Sequence, residues 1–366
     1  MGGPSFDAVQ PRIRVALVDD QVVVRGLFSR WLAEVEDFEI VGVHRDGAQA
    51  VRQIGLARPD VVVLDIEMPE MDGLTALPLL LEASPDSRVL IVSGLSLRGA
   101  DITLRCMLRG ATDFLPKPGS MREVTTSEEF RSDLIARIRA IGRQRRAVPP
   151  VTMPRLPPAA LPAAAGGRTL SGPDLLIVGA STGGPAAVTH LLNGLKPVLH
   201  RLAVVVVQHM PQPFTLLFAD HLRRHSGLEA VEIGGGEILR RGCVHVCRGG
   251  QSLRIVRSAE GLGVVRDLLP EAECRGIPSI DLVMTSAARA CGAGVAGVIL
   301  TGMGDDGAVG ARAIAAAGGV VLAQDEASSI VWSMPAAAIE TGLVQAVAPV
   351  GDLAVMLVAM ATPRSA

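Results

Sequence analysis

Residues 175–188 read LLIVGASTGGPAAV, an apolar run that ends in a turn of small residues and passes into an alanine-rich segment of helical period. Strand, glycine turn and helix in that order seed an α/β domain, and such a turn either cradles a phosphate or presents a nucleophile. A dinucleotide site fits poorly on two counts. GASTGG places Ser181 where a glycine should let pyrophosphate approach, and the next strand ends in Gln208 and His209 instead of an acid for the ribose. Gly179-Ala-Ser181-Thr182-Gly183 instead matches G-x-S-x-G, the spacing of a nucleophile held on a sharp strand-to-helix turn.

Working outward, a helix starting near Pro185 buries Val188, Leu191 and Leu192, and the run AVVVVQ (203–208) follows as a second strand. A right-handed crossover makes the two strands parallel, which brings Ser181 and His209 to one edge of the sheet. AGVILTGMGDDGAVGARAIAAAGG (296–319) repeats the strand, glycine turn and helix, and carries Asp305 and Asp306 to the same edge. Serine, histidine and aspartate together are what a hydrolase needs. The imidazole takes the serine proton while the carboxylate holds its tautomer and steadies the imidazolium. Chain order is Ser, His, Asp, unlike that of α/β-hydrolases, so this is a separate solution.

Upstream, the runs IRVALV, FEIVGV, DVVVLD, RVLIVS and ATDFLP alternate with helical patterns such as Leu27, Phe28, Trp31, Leu32 and Leu104, Met107, Leu108. Strands this apolar are covered on both faces, which implies a second doubly wound parallel sheet with its ligand edge at the carboxyl ends. Asp19 and Asp20, Asp65, Ser93 and Lys117 all fall at that edge. One aspartate there is as readily a helix cap, but three carboxylates in one cleft repel unless a cation sits among them, and all-oxygen donors favour Mg²⁺.

Between these regions, repeated prolines among small residues read as a semi-extended linker. The expected layout is α/β throughout: a doubly wound, flavodoxin-like domain at 12–140, a Pro/Ala-rich linker at 141–173, and a mainly parallel α/β catalytic domain at 174–360. A chain of 366 residues fits two domains on a prior of roughly 150 residues each. With 49% hydrophobic residues, 20% charged and a net charge of −2, nothing marks a polybasic nucleic-acid binder. No apolar run reaches the roughly 18 residues of a membrane helix and no signal-peptide core is visible, so a cytoplasmic protein without direct membrane insertion is expected. The cysteines at 106, 243, 247, 274 and 291 form no Cys-x-x-Cys pair and read as structural thiols; Cys243 and Cys247 share an alternating, strand-like segment.

Residues 12–140 resemble the response-regulator receiver family. The resemblance implies that Asp65 accepts a phosphoryl group from a CheA-type histidine kinase, that Asp19, Asp20, Asp65 and the Glu67 carbonyl hold Mg²⁺, that Lys117 pairs with the phosphate, and that Ser93 and Phe114 report the change. The second domain resembles the CheB-type chemotaxis protein-glutamate methylesterases through GASTGG, QHMPQPFT (208–215), PSID (278–281), LTGMGDDG (300–307) and SMPAAAI (333–339). It implies Ser181 as nucleophile, His209 as base and Asp306 as orienting acid. Backbone amides around Met303 would hold the oxyanion with the turn at Thr182 and Gly183, and ester hydrolysis would need no cofactor. The implied substrates are methylated glutamates, and also glutamines, of chemoreceptors.

The chain departs from the family at CRGGQS (247–252), where an alanine-proline-glycine turn and a histidine are usual, at Ile277, where arginine is usual, and at Asp305, where asparagine is usual. The first two bear on substrate contacts or surface packing and leave the triad alone. An alternative function is a phosphorylation-dependent adaptor that docks on a receptor array with a catalytically silent second domain. Labelling by a serine-reactive probe separates the two.

Overall fold

A computed structural model describes residues 11–94, 96–146, 174–267 and 278–362. The chain divides into two compact units, Met1–Ala147 and Val148–Ala366.

In the first unit, β1 (Ile13–Val18), β2 (Phe38–His44), β3 (Val61–Leu64), β4 (Arg88–Gly94) and β5 (Asp113–Lys117) form one sheet in the order β2-β1-β3-β4-β5. Every pairing is parallel. This is the doubly wound arrangement expected, with its reversal of order between β1 and β3, where ligands sit. The strands are apolar because helices cover both faces: all of Val61–Leu64 is buried. The helix Val22–Ala33 buries Val24, Leu27, Phe28, Trp31 and Leu32 on one side, close to the face read from the sequence. Asp46 and Asp72 open the helices Gly47–Ala57 and Gly73–Ala83, each accepting a backbone N–H of the first turn. The last helix runs from Glu128 to Arg146, past residue 140, where the sequence reading starts the linker. The rest of that linker lies outside the described residues.

In the second unit, β6 (Leu175–Ala180), β7 (Ala203–Gln208), β8 (Glu229–Ile233), β9 (Cys243–Cys247), β12 (Val295–Ile299), β13 (Val320–Gln324) and β14 (Ala346–Ala348) form a seven-stranded sheet in the order β14-β13-β12-β6-β7-β9-β8. All its pairings are parallel. The strands β10 (Ser252–Ser258) and β11 (Gly261–Asp267) form a separate antiparallel hairpin. β6 and β7 are buried at every residue and lie centrally, with β12 beside β6. β9 is buried throughout as well, so the strand-like segment Cys243-Val-His-Val-Cys247 is an inner strand. Its two thiols are buried and unpaired, and burial pushes the Cys247 thiol up, which suits a packing role.

Candidate active site

Because β1 and β3 are neighbours, Asp19, Asp20 and Asp65 converge just past their ends. One oxygen from each lies within 4.8 Å of the others. Lys117, the last residue of β5, donates from Nζ to Asp19 Oδ2 at 2.8 Å and stands 3.1 Å from Asp65 Oδ1. Asp65 Oδ1 also accepts the Ile66 N–H at 2.9 Å. Burial pushes the Asp65 carboxyl up to about 6; Lys117 opposes the rise and Asp19 adds to it. Burial alone would lower the Lys117 ammonium, but Asp65 and Asp19 outweigh it and raise its pKa.

Asp20 Oδ1 is buried without a hydrogen-bond partner. An unpartnered carboxylate oxygen beside two further carboxylates fits a hard cation, so the acidic cluster suits Mg²⁺. Glu67 follows Asp65 with its side chain exposed. Ser93 Oγ is buried in a 2.7 Å hydrogen bond with Thr103 Oγ1, a partner the sequence did not suggest, and Phe114 is buried on β5.

At the carboxyl edge of the seven-stranded sheet, β6 pairs with β7 up to Ala180 and Gln208, so Ser181 and His209 follow on adjacent strands. Backbone bonds tie the loops together: His209 N–H donates to Ala180 O at 3.1 Å, and Ser181 N–H to Thr301 O at 3.0 Å. His209 Nε2–H donates to Asp306 Oδ2 at 2.9 Å, which leaves Nδ1 as the nitrogen open to a serine proton. Asp306 is buried and Asp305 exposed, which separates the two adjacent aspartates. The Asp306 carboxylate also accepts the backbone N–H groups of Ile280 and Asp281, both at 2.8 Å, in the first turn of the helix Ile280–Cys291. A helix N-terminus carries partial positive charge and unpaired amides, so it holds an anion well. Among the described residues Ser181 Oγ makes no hydrogen bond; contacts of this kind commonly tighten only when substrate is bound.

Gly183 is left-handed at φ 76° and opens the helix Gly184–Leu195. Thr182 is buried and its carbonyl accepts from Thr301 Oγ1 at 2.9 Å. The Met303 N–H has no acceptor among the described residues, whereas its neighbours are engaged, Gly302 with Val331 O and Gly304 with Ser333 Oγ. Gly302 must be glycine, because a Cβ there would stand 2.2 Å from Met334 Sδ and 2.8 Å from Ser181 Cβ.

Sequence reasoning missed the residues that hold these loops. Gln208, almost fully buried, donates from Nε2 to Ser181 O at 2.8 Å. Gln324 Oε1 accepts the Thr301 N–H at 2.8 Å. Thr301 Oγ1 in turn accepts from Ile330 and Val331, which binds the stretch before SMPAAAI to the nucleophile turn. The only sequence signal for both glutamines is an amide ending an otherwise apolar strand.

The departure at 247–252 lies closer to the site than its motif suggested. Gly249 abuts the segment after His209 so tightly that a Cβ would stand 2.2 Å from Met210 O, and its N–H donates to Thr215 Oγ1 at 3.0 Å. Arg248 pairs with the buried Glu232 carboxylate at 2.9 Å, and Glu232 also accepts from Thr215 Oγ1 at 2.7 Å. Arginine in place of proline is therefore matched by an acid. Ile277 lies outside the described residues.

Comparison with known proteins gives two family matches: CheB methylesterase over residues 176–357 and response regulator receiver domain over residues 15–127. The chain is 41% identical over 367 residues to a protein-glutamate methylesterase/protein-glutamine glutaminase of Bradyrhizobium diazoefficiens, covering 93% of this chain and 92% of that protein. A protein of the same description from Nitrobacter hamburgensis is 42% identical over 360 residues, covering 95% of this chain and 94% of that one. Among solved structures, the catalytic domain of Thermotoga maritima CheB methylesterase aligns at a TM-score of 0.49 and 31% identity, over 51% of this chain and 98% of that domain.

Proposed function

The chain belongs to the CheB-type protein-glutamate methylesterase/glutaminase family, and from that premise we propose that Ser181, His209 and Asp306 hydrolyse glutamate methyl esters on chemoreceptors under control of phosphorylation at Asp65. The observation that carries the reading is the buried Asp306 carboxylate bonded to His209, on a loop stitched by backbone to the turn of Ser181.

Ser181 Oγ attacks the side-chain γ-carbonyl of the ester while His209 takes its proton at Nδ1. His209 returns that proton to the departing methoxide, which leaves as methanol. A water molecule then attacks the acyl-serine, with His209 again accepting and returning the proton, and a receptor glutamate is released. With glutamine the same steps release ammonia. The Met303 amide and the helix after Gly183 are the donors we assign to the developing oxyanion; one such donor is worth about 3 kcal/mol of barrier. Asp306 keeps the proton on Nε2, so that Nδ1 is free at the start of each cycle.

In the receiver, a CheA-type histidine kinase is the phosphoryl source. The bond between phosphorus and the kinase imidazole breaks as one forms to an Asp65 oxygen. Asp19, Asp20, Asp65 and the Glu67 carbonyl would hold Mg²⁺, which supplies positive charge against the incoming phosphoryl oxygens. Lys117 then exchanges an Asp65 oxygen for a phosphoryl oxygen, and Ser93 leaves Thr103 to donate to the same group, with Phe114 moving into the space released.

The test is methanol release from methylated receptor by the full chain, with and without a small phosphodonor. Wild type should release methanol, and phosphodonor should accelerate it. Ser181→Ala should release none and Asp65→Asn should lose only the acceleration. Methanol release by Ser181→Ala at the wild-type rate would remove the reading.

A further inference from the structure

Asp281, from the PSID motif, has no part in the proposed chemistry, yet it closes a reciprocal arrangement with Asp306. The Asp306 carboxylate accepts Ile280 N–H and Asp281 N–H at the start of the helix Ile280–Cys291. In return, Asp281 Oδ1 accepts the N–H groups of Gly307, at 2.9 Å, and Gly310, at 2.7 Å, at the start of the helix Ala308–Ala316. Each helix N-terminus is thus held by an aspartate belonging to the other segment. Gly307 follows Asp306 directly in the chain, so the bonds made by Asp281 fix the backbone from which Asp306 reaches His209.

Two such N-termini facing each other bring like partial charges and unpaired amides together, and a carboxylate from each side neutralises the other. A helix cap accounts for one of these bonds but not for the exchange, because an ordinary cap serves its own helix. We infer that Asp281 is a positioning residue of the hydrolase: by holding the Gly307 and Gly310 amides it sets where the Asp306 carboxylate stands against His209. This inference rests on the reading of Ser181, His209 and Asp306 given above.

A misplacement of about 1 Å costs on the order of 100-fold in rate, and that is the scale expected when Asp281 loses its side chain. The test compares Asp281→Ala, Asp281→Asn, Asp306→Asn and Ser181→Ala in the full-length chain. Methanol release is divided by the number of serines titrated with a phosphonate probe, so that misfolded molecules are not counted. Asp281→Ala should lower kcat per titrated site by about 10- to 100-fold with KM within about twofold. Asp281→Asn, which keeps an oxygen for the two glycine amides, should recover most of that loss. Asp281→Ala with wild-type kcat per titrated site, or with a loss confined to the number of titratable sites, would overturn the positioning role. An Asp281→Asn variant as slow as Asp281→Ala would also overturn it, since the role is assigned to the acceptor oxygen. Full activity of Ser181→Ala would bring down the reading beneath the inference, an outcome distinct from both.

Discussion

At the carboxyl edge of the five-stranded sheet, three carboxylates converge, one buried lysine pairs with two of them, Asp19 and Asp65, and Asp20 Oδ1 is left without any donor. At the corresponding edge of the seven-stranded sheet, a single carboxylate is met by two helix amides and an imidazole. The carboxyl edges of two parallel sheets therefore build two kinds of acid. Asp65 stands among like charges in a buried place and holds its proton up to about 6, so its ionised form is ready to be stabilised by an incoming cation. Asp306 is already surrounded by donors, so it suits an unchanging role beside a base. A switch requires a site whose charge balance is incomplete, whereas a catalytic acid is best completed in advance.

The largest effects should come from breaking the completed site. Ser181→Ala and His209→Ala should each lower methanol release on the order of 10⁴- to 10⁶-fold, measured under saturating receptor, because members of such a set act as a unit. Next comes the choice between adjacent aspartates. Asp306→Asn should cost about 10⁴-fold, while Asp305→Asn, at an exposed residue, should stay within a few-fold. The reverse order would place the acid on the wrong residue.

The incomplete site should answer in stability. Lys117→Ala leaves Asp19 and Asp65 buried without their cation and should lower the urea-derived stability of the unphosphorylated chain by about 3–5 kcal/mol without Mg²⁺ at neutral pH. Added Mg²⁺ should return part of that loss, and no return would argue against a cation among these carboxylates.

The smallest expected effect is the pH dependence of Asp65. Its folded-state pKa, about 6, lies above the unfolded value near 4, so the folded state keeps the proton longer. Stability from this group is therefore full below about pH 4 and falls as pH rises to about 6, by about 3 kcal/mol. Thermal melts without Mg²⁺ should show that slope in wild type and lack it in Asp65→Asn. Equal slopes would mean that Asp65 is not the group that titrates.

Much of this was legible in the chain because parallel strands buried on both faces leave unbroken apolar runs, and the residues that end them are the ones that meet at the functional edge. AVVVVQ followed by His209 is one example, and DVVVLD ending in Asp65 is another. The β10–β11 hairpin was not read, since Arg254, Arg257 and Arg266 break the apolar runs of SLRIVRS and GLGVVRD. β9 was legible only as an alternating, strand-like segment, and nothing in it announced that the His245 imidazole is buried, with Nδ1 bonded to Val204 O at 3.0 Å. Gln208, Thr301 and Asp281 were illegible for a different reason. Their roles lie in bonds to backbone groups far along the chain, such as Asp281 to Gly310, and backbone amides leave no trace in residue identity.

The account stands most directly on Ser181 being a nucleophile activated by His209. Incubating the full chain with a serine-reactive fluorophosphonate and mapping the adduct by mass spectrometry reads that claim without needing the receptor. Label should appear on Ser181 in wild type, disappear in Ser181→Ala, and fall to background in His209→Ala. An unlabelled wild-type protein, or a Ser181 adduct that forms at the same rate in His209→Ala, would contradict it.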